Sequence, residues 1–191
     1  TSGGLTGGDR LAVAVDWREG ARALVAGQAA EKVYRASSGV AQVRTRLTVD
    51  AGAQVGGYCS DCTRTFATGP LPDELQRAYA LCRSAQESAL AGVHAGAVAS
   101  ELDGIARTEI EESGLAPVLH GLGHGVGLEV HEEPVLRPTS TDTLTAGNVV
   151  TVEPGVYLAG RGGVRIEDIV VVGEAGAEVL SAFTKDLLTL S

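Results

Sequence analysis

A chain of 191 residues with 44% hydrophobic and 20% charged residues suits one folded domain, or one domain joined to part of another. The formal net charge of -9, with no basic run, argues against a nucleic-acid partner, and no apolar run is long enough to span a bilayer. Cys59, Cys62 and Cys82 are few and odd in number, which fits a reducing, cytoplasmic compartment. Cys59-Ser-Asp-Cys62 has C-x-x-C spacing but falls in a strand-like segment, with no second pair to complete a zinc site, so a structural role is expected. The chain has no methionine, begins at Thr1 and shows no signal-peptide pattern, so a fragment, a processed form or a sequence with pieces missing is expected.

In chain order, residues 10–17 read as a strand, Glu19-Gly20 as a turn and residues 21–26 as a return strand. Residues 28–36 suit a short helix that breaks at Ser37-Ser38-Gly39. Val43 to Val49 alternates apolar and polar residues and leads into Asp50; Ala51-Gly52 and Gly56-Gly57 bracket a turn, and Tyr58 to Phe66 returns. Asp50 and Asp61 then lie on neighbouring antiparallel strands. Pro72-Asp73-Glu74 starts a helix whose buried stripe is Leu75, Tyr79, Leu81, Cys82, Ala85, Ala89 and Leu90. Ser100-Glu101-Leu102-Asp103 starts a second helix in a capping-box-like way; Ile105, Ala106 and Ile110 continue its apolar face, and Gly114 closes it. Short strands follow around 118–120, 149–157, 164–172 and 178–180, with a Pro- and Thr-rich loop over 132–147. This order fits an α+β domain with helices covering one face of an antiparallel sheet.

The densest chemistry lies in His120-Gly-Leu-Gly-His124-Gly-Val-Gly-Leu-Glu-Val-His131-Glu-Glu-Pro134, which holds three of the four histidines. Asp50 and Asp61 lie upstream; Glu153, in Thr-Val-Glu-Pro-Gly-Val-Tyr, and Glu167, in Gly-Val-Arg-Ile-Glu-Asp, lie downstream. One imidazole and four carboxylates are a ligand set for a pair of hard divalent cations, and hence for metal-assisted hydrolysis. Each residue taken singly has a plainer reading: Asp50 as a turn residue, Glu153 as a strand-end carboxylate, Glu167 as part of a surface charge cluster, His120 as a core histidine. His-x-x-x-His suits one face of a helix, but Gly121, Gly123, Gly125 and Gly127 argue against a helix.

Taken together, these motifs, in this order from Leu47 to Leu187, resemble the metallopeptidase family with the pita-bread fold. That family includes Xaa-Pro aminopeptidases, Xaa-Pro dipeptidases, methionine aminopeptidases and the metal-free creatinases. The His-rich run, Val-Glu-Pro-Gly-Val-Tyr and Gly-Val-Arg-Ile-Glu-Asp look like its proline-specific branch. The resemblance implies hydrolysis of Xaa-Pro bonds in peptides with a free amino terminus, through a hydroxide shared by two divalent metal ions. It implies that Asp61 and Glu167 bridge the ions, that Asp50 holds one of them, and that His124 and Glu153 complete the other. Glu153 would also manage the water's proton, and His131 would hydrogen-bond the scissile carbonyl or the substrate's proline end. His120 would line the pocket, and Arg165 would orient a carboxylate or meet the far end of the substrate. Mn2+ is the favoured ion; Co2+, Zn2+ and Fe2+ suit the same ligands. A homodimer is expected, as in many members.

The N-terminal part departs from the family pattern. Nothing between Thr1 and Thr48 matches the Pro-His motif that supplies a further active-site histidine, and His94 reads as an ordinary polar position near a helix end. Residues 1–30 are expected to be a remnant of the family's N-terminal domain, 31–46 a junction and 47–191 the catalytic domain. The alternative expectation is a non-catalytic relative that keeps its metal for stability and acts as a binding module.

Overall fold

The computed structural model describes residues 22–28 and 46–189. The expected strand at 10–17, the turn at 19–20, the break at 37–39 and all but the first residue of the helix expected over 28–36 lie outside them; Gln28 itself ends a strand. That strand, β1 (Arg22–Gln28), pairs antiparallel with β2 (Arg46–Val55). On the other edge of β2 run β3 (Tyr58–Cys59) and β4 (Thr63–Ala67). One register serves both, because Val55 pairs with Tyr58 and Arg46 with Ala67. Ala51 and Cys62 exchange backbone hydrogen bonds of 3.0 and 3.1 Å between the two segments. β3 and β4 are therefore one strand with an irregularity at 60–62. The turn is Gly56-Gly57, with φ of 60° and 91°, whereas Ala51-Gly52, expected to bracket it, continues the strand.

Helix α1 (Asp73–Ala91) buries Leu75, Ala78, Tyr79, Cys82, Ala85 and Ala89; Leu81 and Leu90 of the expected stripe are half-buried. Helix α2 (Ala99–Glu112) does not form the capping box expected at Ser100. Its first N–H, from Ala99, donates instead to Asp142 O (2.9 Å), and Val98 bridges to Thr143, so a tertiary contact sets the start. Ala106 and Ile110 are buried as expected, but Ile105 is exposed; Leu102 and Asp103 fill the inner face. Gly114, at φ 68°, closes the helix.

The remaining strands are β5 (Gly123–Gly125), β6 (Glu132–Leu136), β7 (Val149–Val152), β8 (Gly155–Leu158), β9 (Gly162–Arg165), β10 (Asp168–Val172) and β11 (Ala177–Val179). They form an antiparallel sheet ordered β11-β10-β7-β5-β6 and a two-stranded ribbon β8-β9. No strand forms at 118–120; the strand of the glycine-rich run is β5, where glycine lets neighbouring backbones close in. The loop expected over 132–147 begins with β6. Small side chains of α1, Ala78, Cys82 and Ala85, pack with Val152, Val156 and Val164 in the core, so the helix lies close against β7, β8 and β9. Burial pushes the Cys82 thiol up to about 12, as befits a core cysteine.

Candidate metal centre

Two interrupted hairpins place the carboxylates. In the first, Asp50 pairs with Thr63, and the same register sets Asp61 opposite Gly52. Asp50, Gly52, Asp61 and Thr63 therefore share one face of the sheet. A Cβ on Gly52 would lie 2.1 Å from Ser60 O, so only glycine lets the Ser60-Asp61 backbone come this close to β2. In the second, β7 pairs Val152 with Asp168 and β8 pairs Gly155 with Arg165 in one continuous register, which leaves Glu153 facing Glu167 in the gap. The hairpin splays there. Glu153 N–H donates to Leu122 O (2.7 Å) and Glu167 N–H to Thr63 O (3.1 Å), while Pro154 has no N–H to give. One glutamate is thus tied to the histidine segment and the other to the aspartate hairpin.

His124 sits in β5, its N–H on Thr151 Oγ1 (3.0 Å). Its Nδ1 lies 3.0 Å from Gly125 O, an acceptor, so Nδ1 carries the proton and Nε2 points into the carboxylates. Nε2 is 3.1 Å from Glu153 Oε1 and 4.0 Å from Asp61 Oδ2. Ligand atoms of Asp61, His124 and Glu167 all lie within 4.8 Å of one another. Asp50 stands beside this group and contacts the Arg165 guanidinium, whose Nε is 4.0 Å from Glu153 Oε2. Four acidic side chains and one imidazole, drawn from five places in the chain, thus adjoin one another.

Their electrostatics fit a cation. Burial, then the charge of Asp50 and a hydrogen bond with its carboxyl, push Asp61 up to about 7 against the pull of His124. Burial, then Glu153 and Asp61, push Glu167 up to about 8. Burial also opposes charge on Glu153, but His124 and Arg165 outweigh it and hold the carboxyl below its ordinary value. Burial works against the His124 imidazolium too, yet the hydrogen bonds with Glu153 and Gly125 leave its pKa raised. Glu167 Oε2 accepts the Thr63 hydroxyl at 2.6 Å, whereas Oε1 is the one buried side-chain oxygen or nitrogen among the described residues with no hydrogen-bond partner. An oxygen-rich, mutually repelling set with an orphaned buried oxygen and an imidazole whose Nε2 faces inward suits hard divalent ions.

A cleft of about 630 Å³ opens beside these groups, lined by His120, His131, Arg137, Glu153 and Arg165 among others. The ring of His131, an exposed residue, lies 4.2 Å from that of His124. His120 Nδ1 faces Gly121 O (2.8 Å), so its Nε2 accepts the Tyr157 hydroxyl at 2.9 Å. Tyr157 was given no role by sequence reasoning. It pairs with Gly163 and shares a strand face with Gly155, and its ring lies where either glycine's Cβ would be; that strand pattern was the available signal. Asp103 and Arg107 of α2 were also missed. Asp103 accepts Leu122 N–H (3.0 Å), and Arg107 donates to His120 O (3.1 Å), which holds the histidine segment from behind. His94 bonds only its neighbour Ala95 O, at 2.7 Å, away from these groups.

Comparison with known proteins gives the class. The profile of metallopeptidase family M24 matches residues 18–174, and the chain belongs to that family. It is 44% identical over 144 residues to a Xaa-Pro dipeptidase of Pyrococcus furiosus, covering 74% of this chain and 41% of the relative. It is 38% identical over 146 residues to a probable dipeptidase PepE of Mycobacterium tuberculosis, covering 75% and 39%. The crystal structure of an X-Pro aminopeptidase from Thermotoga maritima matches with a TM-score of 0.73 at 39% identity, over 76% of this chain and 42% of that one. Prolidase from Pyrococcus furiosus matches with a TM-score of 0.71 at 40% identity, over 73% and 42%. The fold is the pita-bread fold of these proteins. The chain spans about two fifths of the length of the curated relatives it matches.

Proposed function

We propose that the chain carries the metal centre of a metallo-exopeptidase that hydrolyses Xaa-Pro bonds, with residues 47–191 as its catalytic part. The observation that carries this reading is the buried, unpartnered Glu167 Oε1 inside the compact group with Asp61 and His124. Asp50, Asp61, His124, Glu153 and Glu167 would hold two divalent ions, Mn2+ first among those that suit the set. When bound, such ions acidify water and polarise a carbonyl, which supplies a nucleophile near neutral pH.

The protein's own groups do the rest. Glu153, held ionised by His124 and Arg165, takes the proton of the attacking water. His131, on the cleft wall beside His124, donates to the scissile carbonyl as charge develops there. His120, fixed by Tyr157, shapes the cleft, and Arg165 keeps Asp50 and Glu153 from turning away. Proline in the second position fits a site with a dedicated wall, because the Xaa-Pro bond has no N–H for recognition. The names of the relatives, Xaa-Pro dipeptidase and X-Pro aminopeptidase, support this substrate class. A homodimer in the cytoplasm completes the proposal, the location resting on the scarce, odd-numbered cysteines of the sequence.

Purified protein loaded with Mn2+ should release the first residue from an Xaa-Pro dipeptide or from a longer Xaa-Pro peptide, and the ratio of the two rates tells dipeptidase from aminopeptidase. No turnover of either with metal bound contradicts the catalytic reading and favours a metal-stabilised binding module.

A further inference from the structure

Arg64 follows Thr63 on β4, and its side chain points to the strand face opposite that of Thr63 and Thr65. The residue is 4% exposed and reaches none of the cleft. Its guanidinium is fully engaged. Nε donates to Thr184 O (3.0 Å), Nη1 to Thr63 O (2.9 Å) and to Glu167 O, and Nη2 to Asp168 Oδ1 (2.7 Å) and Phe183 O (2.7 Å). That is one acceptor for each of the five N–H groups an arginine carries.

These bonds converge on the peptides that aim Glu167. Thr63 O, which Arg64 grips, also accepts the Glu167 N–H at 3.1 Å, and the Thr63 hydroxyl donates to Glu167 Oε2. Glu167 O is gripped directly. Behind Arg64, Asp168 is fully buried and is shared with Lys185 Nζ (2.7 Å) and Gln86 Nε2 (3.0 Å). Segment 183–186, which has no regular secondary structure, is strapped there by Arg64, by the Tyr79 hydroxyl on Lys185 O (3.1 Å) and by Arg83 on Asp186 (2.7 Å). Buried ion pairs of this kind contribute little net stability against an apolar replacement, whereas breaking one by removing a partner is costly.

We infer that Arg64 is a positioning residue for Glu167: anchored on Asp168 and the carbonyls of Phe183 and Thr184, it fixes the peptides that point the Glu167 carboxylate at Asp61 and His124. The inference rests on reading Glu167 as a metal ligand. Lysine keeps the charge but not the planar five-donor fork, so it cannot hold the Glu167, Thr63 and Phe183 carbonyls together.

The test compares the wild type, Arg64→Lys and Arg83→Ala by Mn2+ titration calorimetry, and by amide exchange of the chelator-treated proteins. Arg64→Lys should lose about 10- to 100-fold in Mn2+ affinity, the range for groups that orient a metal ligand. Its amides over 166–168 should exchange faster. Arg83→Ala, which loosens the same C-terminal segment from outside, should lower the melting temperature and leave both readouts unchanged. Wild-type affinity together with wild-type exchange in Arg64→Lys overturns the inference. A wild type that takes up no Mn2+ defeats the metal reading instead, and unchanged exchange over 166–168 in Arg64→Lys then overturns the positioning role by itself. Should Arg64→Lys not fold, Asp168→Asn preserves shape and should shift both readouts in the same direction; no shift in either overturns the inference.

Discussion

Glu167 Oε1 is buried with nothing to accept from, and its partner oxygen is already committed to Thr63. Replacing this side chain separates metal holding from folding. Glu167→Gln should leave the chelated protein as stable as the wild type or more so, because it removes an acid whose charge burial, Glu153 and Asp61 all disfavour. It should also abolish the metal response. Wild type should gain about 2.7 kcal/mol at a hundredfold excess of Mn2+ over Kd, and the variant nothing, as read from urea midpoints. The same groups set a pH dependence. Asp61 and Glu167 titrate higher in the folded protein, about 7 and about 8, than the ordinary carboxylate range of the unfolded chain. The folded state then holds more protons than the unfolded one, so this contribution falls as pH rises from about 4 to about 8. His124, also raised, acts in the same sense, while lowered Glu153 acts only below its ordinary value. Chelated protein should therefore be less stable at about pH 8 than at about pH 5; the reverse order would contradict the raised values. At this scale the ligand candidates could be named only as a set, because each taken singly has a plainer reading and the order of the motifs, through the family resemblance, picks them out. Arg64, Thr63 and Tyr157 could not be named, since their roles depend on which strand positions face one another across the chain.

At the scale of the element, the two hairpins work by being interrupted. Glu153 and Glu167 face each other where β7-β8 and β9-β10 part, and each finds its backbone partner in a different neighbour. β5 has to approach β7 closely for His124 to reach this gap. A Cβ on Gly123 would lie 2.0 Å from Thr151 O, a backbone atom with little freedom to yield. Gly123→Ala should cost about 1–3 kcal/mol, the range for overpacking, and weaken Mn2+ binding as β5 is pushed outward. An unchanged denaturation midpoint with full metal affinity would show that β5 has room the structure does not give it. Helices α1 and α2 were readable from their apolar periodicity, and the end of α2 from Gly114. The start of α2 was not, because Asp142 and Thr143, far along the chain, supply the contact that a Ser100 cap was expected to make. β6 was also missed: its Glu132-Glu133-Pro134 start lacks the alternation of a strand, and pairing with β5 alone makes it one.

For the whole molecule, an α+β domain with helices covering one face of an antiparallel sheet was expected, and the fold is of that kind; among the described residues its antiparallel strands are divided over three hydrogen-bonded sheets. The split has a physical cause. Where the ladder opens at 153–154 and 166–167, Glu153 N–H turns to Leu122 O and Glu167 N–H to Thr63 O, and the side chains converge. The net charge of -9 is consistent with this, since several of the acids are drawn into one centre instead of being spread over the surface. The most direct measurement is metal content of the purified, folded chain by titration with Mn2+ and mass analysis. We expect a pair of ions per chain, both lost together in Asp61→Asn and in Glu167→Gln, since each carboxylate would serve both ions. A folded wild type that takes up no divalent metal, or variants that keep the full complement, would contradict the assembly of these acids and His124 into one metal centre.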